Sequence, residues 1–140
     1  MPDVLILLAV ALVPLGLLLG LAAPAGAAIV NVPADNATIQ GAIDAAAADG
    51  SDTVLVAPGT YYENIDLKGK RLVLTSHFMF HQDPQYIFST IINGSQPADP
   101  DTASVVRMTS GEISLTTLQG FTITGGTGAV WTDPHCAGEV

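Results

Sequence analysis

The sequence predicts a mainly β protein: a column of short strands wound in one sense, with a single α-helix closing its start. Two observations predict it. A helical apolar stripe occurs once, early, over residues 38–48. From Thr53 onward the apolar period switches to two, in runs of four to six residues rich in Val, Ile, Leu and Thr, punctuated by Gly, Asn and Ser. One helix followed only by short strands is the pattern of a capped coil of strands.

Residues 4–30 carry no charged and no hydrogen-bonding side chain, and they close in small residues that offer an A-x-A cleavage pattern at Ala25, Gly26 and Ala27. This reads as an export signal cut near Ala27 or Ala28. The front end, Met1-Pro2-Asp3, lacks the positive charge such signals carry. The run is also long enough to span a bilayer, so an uncleaved membrane anchor through residues 4–30 is the alternative, and no flanking Lys or Arg sets its orientation. The division is therefore a signal peptide or anchor at 1–28, capped strand rungs at 29–130, and a tail at 131–140.

Within the rungs, Ile29 to Val32 suits a first strand, and residues 33–36 suit a turn with Asp35 or Asn36 as helix N-cap. Ile39, Ala42, Ile43 and Ala46 then form one apolar stripe of short side chains, fitted to a helix lying flat over the end of something else. Gly50 is the expected C′ glycine. The strand runs are TVLV (53–56), RLVLTS (71–76), STIIN (89–93), SVVRMT (104–109) and GFTIT (120–124). Residues 77–86 and 95–103 read as loops. A faint repeat supports the segmentation: residues 72–76 match 106–110, and residues 90–95 match 122–127, at nearly equal spacing. In such a stack the helix covers one end. At the other end Val130-Trp131 has no comparable cover, so further rungs of the same chain are expected beyond residue 140.

The composition narrows the partners. Thirteen acidic residues against four basic ones give a net charge of −9, and a phosphate-binding surface needs clustered cations. Nucleic acid is excluded, and Lys68, Lys70 and Arg71 are expected to solvate one turn. The single cysteine, Cys136, lies in the tail, which points to an absent partner or a truncated piece.

No catalytic constellation emerges. Asp49, Asp52, Asp66, Asp99 and Asp101 are dispersed, whereas paired-carboxylate hydrolysis needs two acids about 5 to 10 Å apart. Asp99-Pro100-Asp101 offers oxygen ligands for Ca²⁺ but lacks the EF-hand and nonapeptide patterns, so a solvated loop is favoured and no metal site is assigned. His77 and His81 lack the glutamate of H-E-x-x-H and sit in a predicted strand or loop. With Phe78, Phe80 and Tyr86 they read as a segment packed over the coil or as part of a sugar-stacking surface. Gly125-Gly126-Thr127-Gly128 lacks the Lys of a phosphate loop. Sequons occur at Asn36 and Asn93.

The string TIQGAIDAAAADGSDTVLVAPGTYYENIDLKGKRLVLTS resembles the N-terminal part of right-handed parallel β-helix proteins of the pectin-lyase-like superfamily. STIINGS and LQGFTITGGTG resemble the turns of exported bacterial β-helix repeat proteins. The resemblance implies a right-handed parallel β-helix with an N-terminal capping α-helix. Gly59, Tyr61 and Glu63 match the G-x-Y-x-E pattern of pectin methylesterase, whose catalytic Asp and Arg segments have no counterpart here. The matched residues are read as a structural motif: Gly59 supplies an unusual backbone angle and Tyr61 packs on the first rung. The expected function is a non-catalytic, exported module, the N-terminal part of a larger secreted or surface protein contacting carbohydrate. The alternative is the N-terminal fragment of a pectin esterase- or lyase-like enzyme whose catalytic residues lie beyond residue 140.

Overall fold

The structure, a computed structural model, describes residues 26–129. Strand β1 (Ile29–Val32) leads into helix α1 (Ile39–Ala45), then β2 (Asp49–Val56), β3 (Gly59–Tyr61), β4 (Ile65–Asp66) and β5 (Arg71–Ser76). Two short helices follow, α2 (Phe78–His81) and α3 (Gln85–Ser89). The chain continues with β6 (Thr90–Asn93), β7 (Thr102–Ala103), β8 (Val106–Arg107), β9 (Thr117–Gln119), β10 (Thr122–Thr124) and β11 (Gly128–Ala129). The chain is mainly β, with parallel strands in sheets and few helices, in line with the sequence.

Three parallel sheets carry the fold: β1-β2-β5-β9, β3-β6-β10 and β4-β8. The chain enters them in a repeating order, β2, β3, β4, then β5, β6, β8, then β9 and β10. Among the described residues, only β7 and β11 pair antiparallel, two residues each. Period-two patterning explains the burial. Val54 and Val56 on β2, and Leu72 and Leu74 on β5, are buried while Thr53, Leu55, Arg71 and Val73 between them are not; at the end of β5 the alternation stops, with Thr75 and Ser76 buried as well. In-register pairing then stacks like on like. Val30, Val54, Leu74 and Leu118 form one row, Tyr61, Ile92 and Ile123 a second, and Ile65 with Val106 a third. Each fully buried aliphatic side chain contributes about 1.5–3 kcal/mol. The rows fade at their far end: Ile92 is 0 % exposed but Ile123, stacked on it, is 47 % exposed.

Helix α1 buries the predicted stripe, Ile39, Ala42, Ile43 and Ala46. Its boundaries differ from those expected. The N-cap is Thr38, whose hydroxyl accepts from the Gly41 amide at 3.0 Å, rather than Asp35 or Asn36. Asp35 instead binds back to the Asn31 amide and side chain. The helix stops at Ala45, so Gly50 is not its C′ residue. Gly50 lies in β2 with φ +86°, where any side chain would collide with Arg71.

Several strand boundaries also shift. β2 begins at Asp49, before the expected Thr53, and 104–109 contracts to Val106–Arg107. The run 120–124 contracts to Thr122–Thr124, and Gly120, at φ +82°, lies in the turn between β9 and β10. The match of 72–76 with 106–110 does not correspond to stacking, because Val106 pairs with Ile65 while Val73 pairs with Thr117. The match of 90–95 with 122–127 finds the right strands but slips by one. Ile92, not Ile91, lies over Ile123, and such a slip would turn every side chain to the other face. The predicted loop 77–86 is largely helical.

The signal or anchor expected at 1–28 lies outside the described residues except for Gly26, Ala27 and Ala28, which form no regular element. The tail 131–140, with Cys136, also lies outside them. No described helix is long and apolar enough to cross a membrane.

Candidate functional site

The G-x-Y-x-E residues sit where the first strands turn beneath α1. Gly59 opens β3 and is not in the left-handed region, so the unusual angle expected of it is absent; a Cβ there would make ordinary contact with the Tyr61 ring at 3.5 Å. Tyr61 packs its half-buried ring against the core and donates its hydroxyl to the Ala57 carbonyl at 2.9 Å, closing the Pro58-Gly59 turn. Burial, with the nearby Glu63 charge, pushes the Tyr61 phenol above its usual range.

Glu63 reaches up to the helix. Its two carboxylate oxygens accept from the Ile39 and Gln40 amides, each at 2.9 Å. Together with Thr38, it satisfies three of the amides that a helix start leaves without intrahelical partners. At the other end Lys70 Nζ donates to the Ile43, Asp44 and Ala46 carbonyls, each at 2.8 Å. An anion at the amide end and a cation at the carbonyl end both complement the helix dipole, each worth about 0.3–1 kcal/mol. Lys70 therefore does more than solvate a turn, as the sequence suggested. Lys68 pairs with Asp44 at 2.7 Å across the same helix, and the Gln40 amide both donates to and accepts from the Asp66 backbone.

Several other acids of the described residues serve structure as well. Asp52 accepts from the Ala28 amide at 3.0 Å and the Ala47 amide at 2.7 Å, joining the start of β1 to the helix exit. Those backbone bonds, Ala47 first, hold its carboxyl below the usual range. Asp66 on β4 binds Arg107 on β8, in the layer above, at 2.5 Å. Burial opposes its ionisation, but the Arg107 hydrogen bond, the Lys68 amide and both positive charges keep its pKa low. Glu112 accepts from the Gly69 and Ser110 amides, and chiefly the Gly69 bond lowers its pKa. Asp49, Asp83 and Asp99 each fold back on the amide two residues ahead. Asp99 and Asp101 thus form a tight turn, and among the described residues no group of three or more His, Cys, Asp or Glu is placed to hold a metal.

A second cluster lies on the excursion between β5 and β6. HFMFH is helical here, against the strand or loop expected of it, so His77 and His81 share a face. Their ring centroids are 6.4 Å apart, and both meet Tyr86 on α3, His77 at 5.6 Å and His81 stacked at 4.9 Å. The excursion is tied down by the Phe78 amide to Ser76 Oγ and by Thr122 Oγ1 to the Ile87 carbonyl. Phe80 and Phe88 remain 57 % and 66 % exposed.

At the fading end of the rows an open cavity of about 460 Å³ is lined by Val105, Val106, Ile123 and the Gly125-Gly126 backbone, among others. Sequence reasoning singled out Glu63, Tyr61 and the histidines but missed the grips made by Lys70 and Asp52 and the Asp66–Arg107 bridge. No local pattern in one sequence signals partners more than twenty residues apart. No family model, no curated protein and no solved structure matches this chain.

Proposed function

We propose that this chain is the capped N-terminal end of a right-handed parallel β-helix of the pectin-lyase-like kind, acting as a non-catalytic, exported module of a larger secreted or surface protein. Later rungs of that protein stack on β8, β9 and β10, and the side of the column contacts extracellular polysaccharide. Glu63 carries the reading: the one acid matching an enzymatic motif has both oxygens engaged by helix amides. A carboxylate that grips two helix amides is placed to hold the helix in position. The repeating order of the three parallel sheets and the exposed, aliphatic far end support the same architecture.

The test is direct. Incubated with methyl-esterified pectin and with polygalacturonate, the protein is expected to release neither methanol nor unsaturated uronate. Turnover that disappears in Glu63→Gln or Asp66→Asn would overturn the non-catalytic reading. N-terminal sequencing of the exported protein is expected to begin near Ala28, and an intact residue 4–30 segment would favour an anchor.

A further inference from the structure

The sheet β1-β2-β5-β9 has two edges, and only one of them is closed. Successive residues of a parallel strand turn their backbone groups to opposite neighbours. On the β1 side, the Ala28 and Val32 carbonyls accept from the Thr53 and Ala57 amides, each at 2.9 Å, so Ile29 and Asn31 present their backbone to the outer edge. Asn31 is engaged by its own turn. Its amide donates to Asp35 Oδ2 at 2.8 Å, and its side-chain amide donates to the same oxygen at 2.9 Å. Its carbonyl accepts from the Asp35 amide at 2.8 Å and the Asn36 amide at 3.2 Å. The turn thus occupies the place along β1 that a neighbouring strand would take. Unpaired edge groups are the template on which another chain adds a strand, and covering them prevents it.

The other edge, β9, pairs with β5 on one side and, among the described residues, with no strand on its far side. The two edges match. Both belong to one parallel sheet, and Val30 and Leu118 terminate a single aliphatic row, Val30-Val54-Leu74-Leu118, with both packed against the core. A second copy set end to end in the same direction brings its β9 beside β1 and continues that row by one step, the stacking that already joins the strands of one chain. Where later rungs extend the sheet, its last strand takes the part of β9. Such a head-to-tail contact does not close on itself, so it builds a fibre rather than a dimer. We infer that the outer edge of β1 is a self-association surface fitted to β9 of a second copy, and that the Asp35 turn keeps it shut.

The test uses the full chain with its single cysteine replaced, Cys136→Ser. In sedimentation velocity over about a hundredfold range of concentration, Asp35→Ala should grow into species of at least about three times the wild-type mass. Asp35→Asn, which keeps an oxygen for the Asn31 amide, should sediment as wild type does. Residues 29, 53, 73 and 117 share one register. Asp35→Ala chains carrying Ile29→Cys, mixed with Asp35→Ala chains carrying Thr117→Cys, should therefore cross-link to one another under mild oxidation. Equal masses for Asp35→Ala and wild type across that range, with the variant's circular dichroism unchanged, would overturn the proposal, as would cross-links of residue 29 only to itself. Should Asp35→Ala unfold, hydrogen exchange on the wild type decides. An Asn31 amide exchanging at least about tenfold more slowly than that of Ile29 supports the closed edge, and equal rates overturn it.

Discussion

Replacing Glu63 by Ala is the sharpest perturbation of the cap. It leaves the Ile39 and Gln40 amides without their partner, and Ile39 is fully buried. An unsatisfied, partly buried amide costs about 1–3 kcal/mol, and loss of the anion at the helix start adds about 0.3–1 kcal/mol. The cut is shared with water where the helix end frays, so a total near 2–3 kcal/mol is expected. For a domain of this size each kcal/mol shifts Tm by roughly 4–8 °C, which places the Glu63→Ala midpoint about 8–24 °C below wild type. Circular dichroism melts at neutral pH measure it. Glu63→Gln, which keeps one acceptor, should fall between. A Glu63→Ala midpoint within about 2 °C of wild type would refute the claim that this side chain holds the helix against the strands.

Other substitutions follow the same geometry. Lys70→Met should destabilise by about 1–2 kcal/mol through loss of its helix carbonyl contacts, and less than additively with Glu63→Ala because both act on one seven-residue helix; full additivity in urea titrations would contradict that coupling. Ile92→Ala should cost about 2–5 kcal/mol as a core truncation, whereas Ile123→Ala, in the same row but 47 % exposed, should cost under about 1 kcal/mol. Stability should fall as pH drops below about 4. Asp52, Asp66 and Glu112 have folded pKa values below their unfolded ones, so the unfolded chain binds more protons and their stabilisation, present above the unfolded pKa, is lost as pH falls through the folded pKa. Asp52→Asn should flatten that acid slope, and an unchanged slope would argue against the role assigned to Asp52.

Period and propensity made the strands and the helix legible. Val54, Val56, Leu72 and Leu74 alternate as buried strand residues must, and the Ile39, Ala42, Ile43, Ala46 stripe was visible because it depends on spacing alone. Boundaries were not, since they are set by partners distant in sequence. At the helix exit Lys70, more than twenty residues on, takes up the Ile43, Asp44 and Ala46 carbonyls, and Gly50 clears Arg71. The strands Gly59–Tyr61 and Ile65–Asp66 were hidden because two or three residues are too short to show a period; pairing with β6 and β8 creates them. The excursion was misread for a related reason. HFMFH carries too few residues to reveal a helical face, and its geometry becomes apparent only when Tyr86 closes on it. Of the matched motif, Glu63 was flagged as structural by its context, but its partner, the helix start, lies more than twenty residues earlier.

The central claim, that consecutive parallel strands lie directly above one another, is tested most directly by disulfide trapping in sheet β3-β6-β10. Thr60 pairs with Ile91, and Ile91 pairs with Thr122, so neighbouring strands are about 4.8 Å apart and alternate ones about twice that. In a Cys136→Ser background, Thr60→Cys with Ile91→Cys and Ile91→Cys with Thr122→Cys should each cross-link under mild oxidation, while Thr60→Cys with Thr122→Cys should not. Cross-linking of the 60–122 pair, or of neither neighbouring pair, would contradict the stack.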